Sequence, residues 1–157
     1  MKADRVEELL REIPDGPGDV RFRAYFYLFN RQEYYEAHDV LESLWLQGGK
    51  GHGDYAFFKG LIQLAGAFVH LKLHHQFPNH HAHGQRLGPA LRLLNLAEGN
   101  LAGYASGHHD LDLEPVRNLI RETQQALRNG EGKNPWWPER VVYLPGAGQD
   151  RRVADEG

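Results

Sequence analysis

The stretch YAFFKGLIQLAGAFVHLKLHH, residues 55–75, decides how the chain folds. Turned at about 100° per residue, Phe57, Phe58, Leu61, Ile62, Leu64, Phe68, Val69, Leu71 and Leu73 cover most of a helix circumference. A helix that is apolar nearly all round is buried among other helices. One polar strip interrupts it. Lys59, Gln63, His70 and His74 project within about 60° of one another, flanked by Gly66 and Ala67, whose small side chains permit close helix approach. Unpaired amide and imidazole groups cost about 1–3 kcal/mol each to desolvate, so the strip needs a partner.

Outward from this segment, apolar residues recur at three-to-four-residue spacing and no period-two run of strand length appears. The expected fold is all-α: a compact single-domain bundle of about five helices built from antiparallel hairpins. A first helix from about Ala3 to Glu12 is stopped by Pro14 and the DGPGD turn and docks loosely. Asp19 caps VRFRAYFYLF, which Asn30 closes in a left-handed conformation, and Gln32 or Glu33 opens the next helix. Asp54 caps the central helix, Pro89 sits in the first turn of the one after, and the last runs from Asp112 to Gly130. This divides the chain into an N-terminal helix and turn (1–18), a helical core (19–130) and an extended Pro/Trp arm with a flexible tail (131–157). In the arm, Trp136 and Trp137 stand between prolines, placed either to latch onto the bundle or to offer a peptide-binding surface.

Composition narrows the function classes. The 157 residues are 41% hydrophobic and 25% charged, as in folded soluble domains. A formal charge of -3 with no Lys/Arg block excludes the basic footprint of a nucleic-acid surface. Without cysteine there is no thiolate nucleophile and no Cys-ligated metal, so any metal sits on His and carboxylates. The N-terminal MKADRVEELLREIP lacks the apolar core of a signal peptide, and no apolar run is expected to reach membrane-spanning length. The expected setting is cytoplasmic, without a membrane partner.

Upstream of the central helix, YYEAHDVLESLW (residues 34–45) sets His38 and Glu42 four residues apart at the edge of an apolar arc, with Glu36, Asp39 and Ser43 expected in solvent. This pair can serve in three ways. Glu42 can satisfy a core histidine. It can orient His38 as a general acid or base near neutral pH. Both can be ligands, since His70 and His74 on the central helix share the same i,i+4 spacing and would complete a four-donor set for zinc or another divalent ion. The His-rich loop HHQFPNHHAHG, with His74, His75, His80, His81 and His83, reads as a solvated loop; metal recruitment is its alternative.

The run FNRQEYYEAHDVLESLW, followed by FFKGLIQLAGAFVHLK, resembles domain of unknown function family 309, a small all-helical family, over about Val20 to Leu127. The family pattern His-x-x-x-Glu-x-x-Trp-Arg is met by His38, Glu42 and Trp45, while Leu46 replaces the arginine and removes its charge. The resemblance implies a compact helical fold, an active site of no assigned reaction, and self-association.

The expectation is therefore a polar site between the 33–46 and 54–75 helices carrying acid/base or hydrolytic chemistry on a small molecule. Its catalytic groups are His38, Glu42, Gln63 and His70, with Tyr34, Trp45 and Lys59 against the substrate and no cofactor. The alternatives are a tetratricopeptide-like module binding a peptide or a second copy, and a divalent-metal protein using His38, Glu42, His70 and His74.

Overall fold

Local turn chemistry punctuates the chain as the sequence demands. The structure, a computed structural model, describes residues 2–49, 51–79, 85–130, 132–140 and 142–146. Among them, six α-helices follow in order: α1 (Lys2–Arg11), α2 (Val20–Asn30), α3 (Tyr34–Gly48), α4 (Tyr55–Gln76), α5 (Leu87–Leu101) and α6 (Leu113–Asn129), with a 3-10 turn at His108–Asp110. The described residues contain no strand. Six is the number of segments that the caps and breakers delimit along the sequence, one more than the expected count of about five.

Asp19 and Asp112 act as side-chain caps, accepting from the backbone N–H of Arg21 at 2.8 Å and of Glu114 at 3.0 Å. Two other expected caps do different work. Asn30 does not close α2 in a left-handed conformation; Gln32 takes that geometry, at φ 64°. The Asn30 amide instead clamps the backbone of Leu144, donating to its carbonyl at 2.9 Å and accepting from its N–H at 2.8 Å. Asp54 occupies the N-cap position of α4 but makes no capping bond, for a reason that belongs to the site below.

Successive helices pack as antiparallel neighbours, which cross-contacts at both ends of each pair establish. Arg21 reaches Gln47 while Phe29 meets Tyr34, so α2 and α3 run oppositely. Trp45 meets Tyr55 while Tyr34 meets Phe68, reversing α4 against α3. Along α4 and α5, a Cβ at Gly60 would lie 2.7 Å from Leu101, and one at Gly66 would lie 3.2 Å from Leu93. A side chain at Gly60 would force Leu101 to move and one at Gly66 would press on Leu93, so α5 lies close along α4, and α4 sits between α3 and α5.

From α2, Tyr25 donates to the Leu61 carbonyl at 2.6 Å, and Phe29 packs edge-on to Phe68. These rings, with Leu61, Leu64 and Leu71, are fully buried and form the centre of the core. By length and composition α4 could cross a membrane, contrary to the expectation that no run is long enough. However, 56% of that window is buried inside the bundle, where α4 serves as the core helix.

The largest departure concerns α1. Its Val6 is buried, and its Arg5 and Lys2 pair with Asp39 and Glu42 of α3. Asp39, expected in solvent, is only 1% exposed, because α1 lies over that face of α3.

Candidate functional site

The expected site residues fall into separate neighbourhoods. His38 is half-buried, with Nδ1 3.2 Å from Asp39 Oδ1 and Nε2 3.8 Å from Glu42 Oε2. Glu42 pairs with Lys2, whose amine is also 3.6 Å from Asp39. This end of the polar strip on α3 thus faces α1. The strip on α4 turns the other way, toward α5. Gln63 Oε1 accepts from Asn100 at 2.7 Å, His70 Nδ1 lies 3.3 Å from an Arg86 guanidinium nitrogen, and His74 Nδ1 accepts from the Arg86 backbone at 3.4 Å.

Among the described residues, no hydrogen bond or ion pair joins His38 or Glu42 to Gln63, His70 or His74. The shared hollow between α3 and α4 is therefore corrected to two interfaces. Helical periodicity shows which residues share a strip but not which neighbour covers it. The ligand set His38, Glu42, His70 and His74 does not converge either; the one convergent set among the described residues lies elsewhere.

Tyr34 is 1% exposed, and its hydroxyl accepts from Trp136 Nε1 at 3.0 Å. Burial pushes that phenol up to about 12, the Trp136 bond working against it. It is a core residue and offers no surface to a substrate. Trp45 and Lys59 gather on Tyr55, with ring centroids 5.0 Å apart and the Lys59 amine 5.5 Å from the Tyr55 centroid. His80, His81 and His83 lie outside the described residues.

The polar centre that the fold does assemble joins the start of α4 to the loop after α5. Asp54 Oδ1 is 2.7 Å from His108 Nε2, and Asp54 Oδ2 is 2.8 Å from His109 Nε2. An ionised carboxylate only accepts, so each Nε2 carries a proton and donates. Two consecutive side chains reach one carboxylate because the backbone is left-handed there. Gly107 has φ 100°, His109 φ 52° and Asp110 φ 58°. Regular helix or strand geometry would send adjacent side chains about 100° or 180° apart.

Aromatic rings hold the imidazoles. Phe57 and Tyr104 lie 4.8 and 4.9 Å from His108, and Phe58 and Phe22 lie 5.4 and 5.8 Å from His109. Burial raises the Asp54 pKa, but the bonds and charge of His109 and His108 outweigh it and hold the carboxyl below its usual range. The positive end of α4 also favours the anion. Asp54, His109, His52 and Asp110 border a cavity of about 410 Å³, with Asp19 and Phe22 opposite.

On α3, His38, Glu42 and Trp45 stand at the spacing of the family pattern, and Gly60 to Gln63 follow on α4. Residues 22–76 match the family model Domain of unknown function (DUF309). This segment is similar to the DUF309 family. The DUF309 match spans α2, α3 and α4, includes Asp54, and leaves α1, His108 and His109 outside it. Comparison with curated proteins and with solved structures gives no match. The two histidines that complete the centre were missed from the sequence, where their signal was the short run Gly107-His108-His109-Asp110 between two helices.

Proposed function

We propose that the protein performs hydrolytic chemistry on a small molecule, with Asp54, His108 and His109 activating water at the 410 Å³ cavity. One observation carries this reading: two imidazole nitrogens are held on the two oxygens of a single carboxylate at the cavity wall. Asp54 fixes the orientation of His109 and offsets the charge an imidazolium would gain, while the remaining ring nitrogen takes a proton from water. The cavity volume suits a small molecule rather than a polymer.

The test is turnover of a panel of small chromogenic esters and phosphate esters near neutral pH by the wild type and by His109→Asn. Asparagine tolerates positive φ, so the loop geometry is kept. A loss of about 100-fold or more with unchanged melting supports the role of His109. Equal rates for the two proteins, or no turnover by the wild type, count against it.

An interaction role is the second reading, favoured by a hollow of about 660 Å³ between α1, α2 and α3 with Leu46, 64% exposed, at its edge. In this reading a peptide or a second copy of the chain, in a cytoplasmic setting, would cover Leu46. Light scattering of Leu46→Lys against the wild type separates self-association from a monomer.

A further inference from the structure

The same centre has the makings of a metal site, an inference that rests on the hydrolytic reading and names its cofactor. We propose that Asp54, His108 and His109 bind one first-row divalent cation, in the class of zinc, manganese or cobalt, whose free positions open onto the cavity.

Convergence comes first. One donor atom from each of the three side chains can be chosen so that all lie within 4.8 Å of one another, and each oxygen of Asp54 already holds one ring, Oδ1 at 2.7 Å and Oδ2 at 2.8 Å. Donors sharing an ion at about 2.0–2.2 Å each lie at most about 4 Å apart, so small rotations suffice. Two imidazoles and one carboxylate suit these ions and leave positions for water. On binding, each neutral imidazole presents a bare Nε2 and carries its proton on Nδ1, so in the metal form water would be activated by coordination in place of proton transfer to His109.

The charge of the cavity points the same way. Its wall holds the carboxylates of Asp19, Asp54 and Asp110 with the imidazoles of His52 and His109, and none of its lining residues is lysine or arginine. Two arginines act on this wall from outside the lining: Arg21 pairs with Asp19 at 3.0 Å, and Arg23 donates to the Pro17 and Gly18 carbonyls.

The backbone shows how that convergence is built. Two consecutive non-glycine residues, His109 and Asp110, hold positive φ. Each such residue costs about 1–3 kcal/mol, and strain of this kind collects at functional sites. A loop needed only to fasten α6 to α4 could use one histidine and a relaxed turn. The strained turn is what brings the second ring onto the same carboxylate, with Phe57 and Tyr104 packed on His108 and with Phe22 and Phe58, which also line the cavity, packed on His109.

The experiment titrates cobalt(II) into chelator-treated protein made without an affinity tag, in a background where His75, His80, His81 and His83 are serine, which leaves His74 as the one histidine of the His-rich loop. One equivalent per chain, with visible ligand-field absorption, is expected. Asp54→Asn and His108→Asn, each checked for unchanged helix content, are expected to weaken the ion by at least about 100-fold. No stoichiometric binding in the background protein, or binding that both substitutions leave intact, overturns the proposal. Should metal-free protein turn over the test ester as fast as the cobalt form while His109→Asn abolishes it, the metal falls and the hydrolytic reading survives.

Discussion

His70 is half-buried on α4 with the Arg86 guanidinium beside it, and that setting makes its titration visible in stability. Burial lowers its pKa, and the charges of Arg86 and Arg92 lower it further. Folded protein therefore takes up this proton less readily than the unfolded chain does. The stability linked to the neutral ring is complete above the unfolded value of about 6.5 and is lost as pH falls through the lower folded value. Urea melts between about pH 7 and pH 5 should show a smaller loss for His70→Gln than for wild type, because glutamine keeps a hydrogen-bonding group that does not titrate. Parallel losses in the two proteins would mean that His70 is free of its neighbours. The same residue shows why the expected site dissolved. Its spacing from Gln63 and His74 was legible, but an imidazole beside two arginines is held neutral by α5 and does not look toward His38.

Among the helices, α1 was the least legible and has the largest effect on the α3 site. Its sequence is amphipathic but short and bounded by prolines and glycines, so nothing local shows that Arg5 and Lys2 will lie on the acidic face of α3. The other boundaries were legible because caps and breakers act within a few residues. His108 and His109 were not, since their meeting depends on positive φ at a non-glycine position, which sequence does not announce. The α1 contact can be measured. Removing one partner of a buried ion pair costs about 3–5 kcal/mol. Arg5 is itself 44% exposed, and Lys2 stays 3.6 Å from the same carboxylate, so Arg5→Ala is expected to cost about 1–3 kcal/mol. Adding Asp39→Asn removes the stranded charge and should recover part of that loss, giving a non-additive double-mutant cycle. Faster amide exchange confined to α1 would accompany the single substitution, and an Arg5→Ala protein as stable as wild type would show that α1 is held by Val6 and the Lys2 pair without Arg5.

At the scale of the molecule, the described arm after α6 closes the bundle on the side away from the Asp54 centre. Asn134 donates to the Leu71 carbonyl at 2.8 Å, Trp136 Nε1 donates to the Tyr34 hydroxyl at 3.0 Å, and Leu144 is clamped by Asn30. Three helices are thus tied by one extended segment that has no helix or strand of its own. Trp136 is 2% exposed, whereas Trp137 is 48% exposed with the Arg140 guanidinium 5.9 Å from its ring centroid. Of the two neighbours, Trp136 is the one that latches onto the bundle, and Trp137 stays at the surface. Replacing the buried ring empties a large volume and strands the Tyr34 hydroxyl, so Trp136→Ala is expected to cost about 3–5 kcal/mol, and Trp137→Ala less than about 0.5 kcal/mol. Trp136→Phe keeps most of the volume but loses the donor. Its cost should shrink when combined with Tyr34→Phe, since the unpaired hydroxyl is then gone. Equal urea midpoints for the two alanine variants would mean that the arm merely lies on the bundle, and the tie among α2, α3 and α4 would have to come from their direct contacts, such as the rings of Phe29, Tyr34 and Phe68 and the Tyr25 bond to the Leu61 carbonyl.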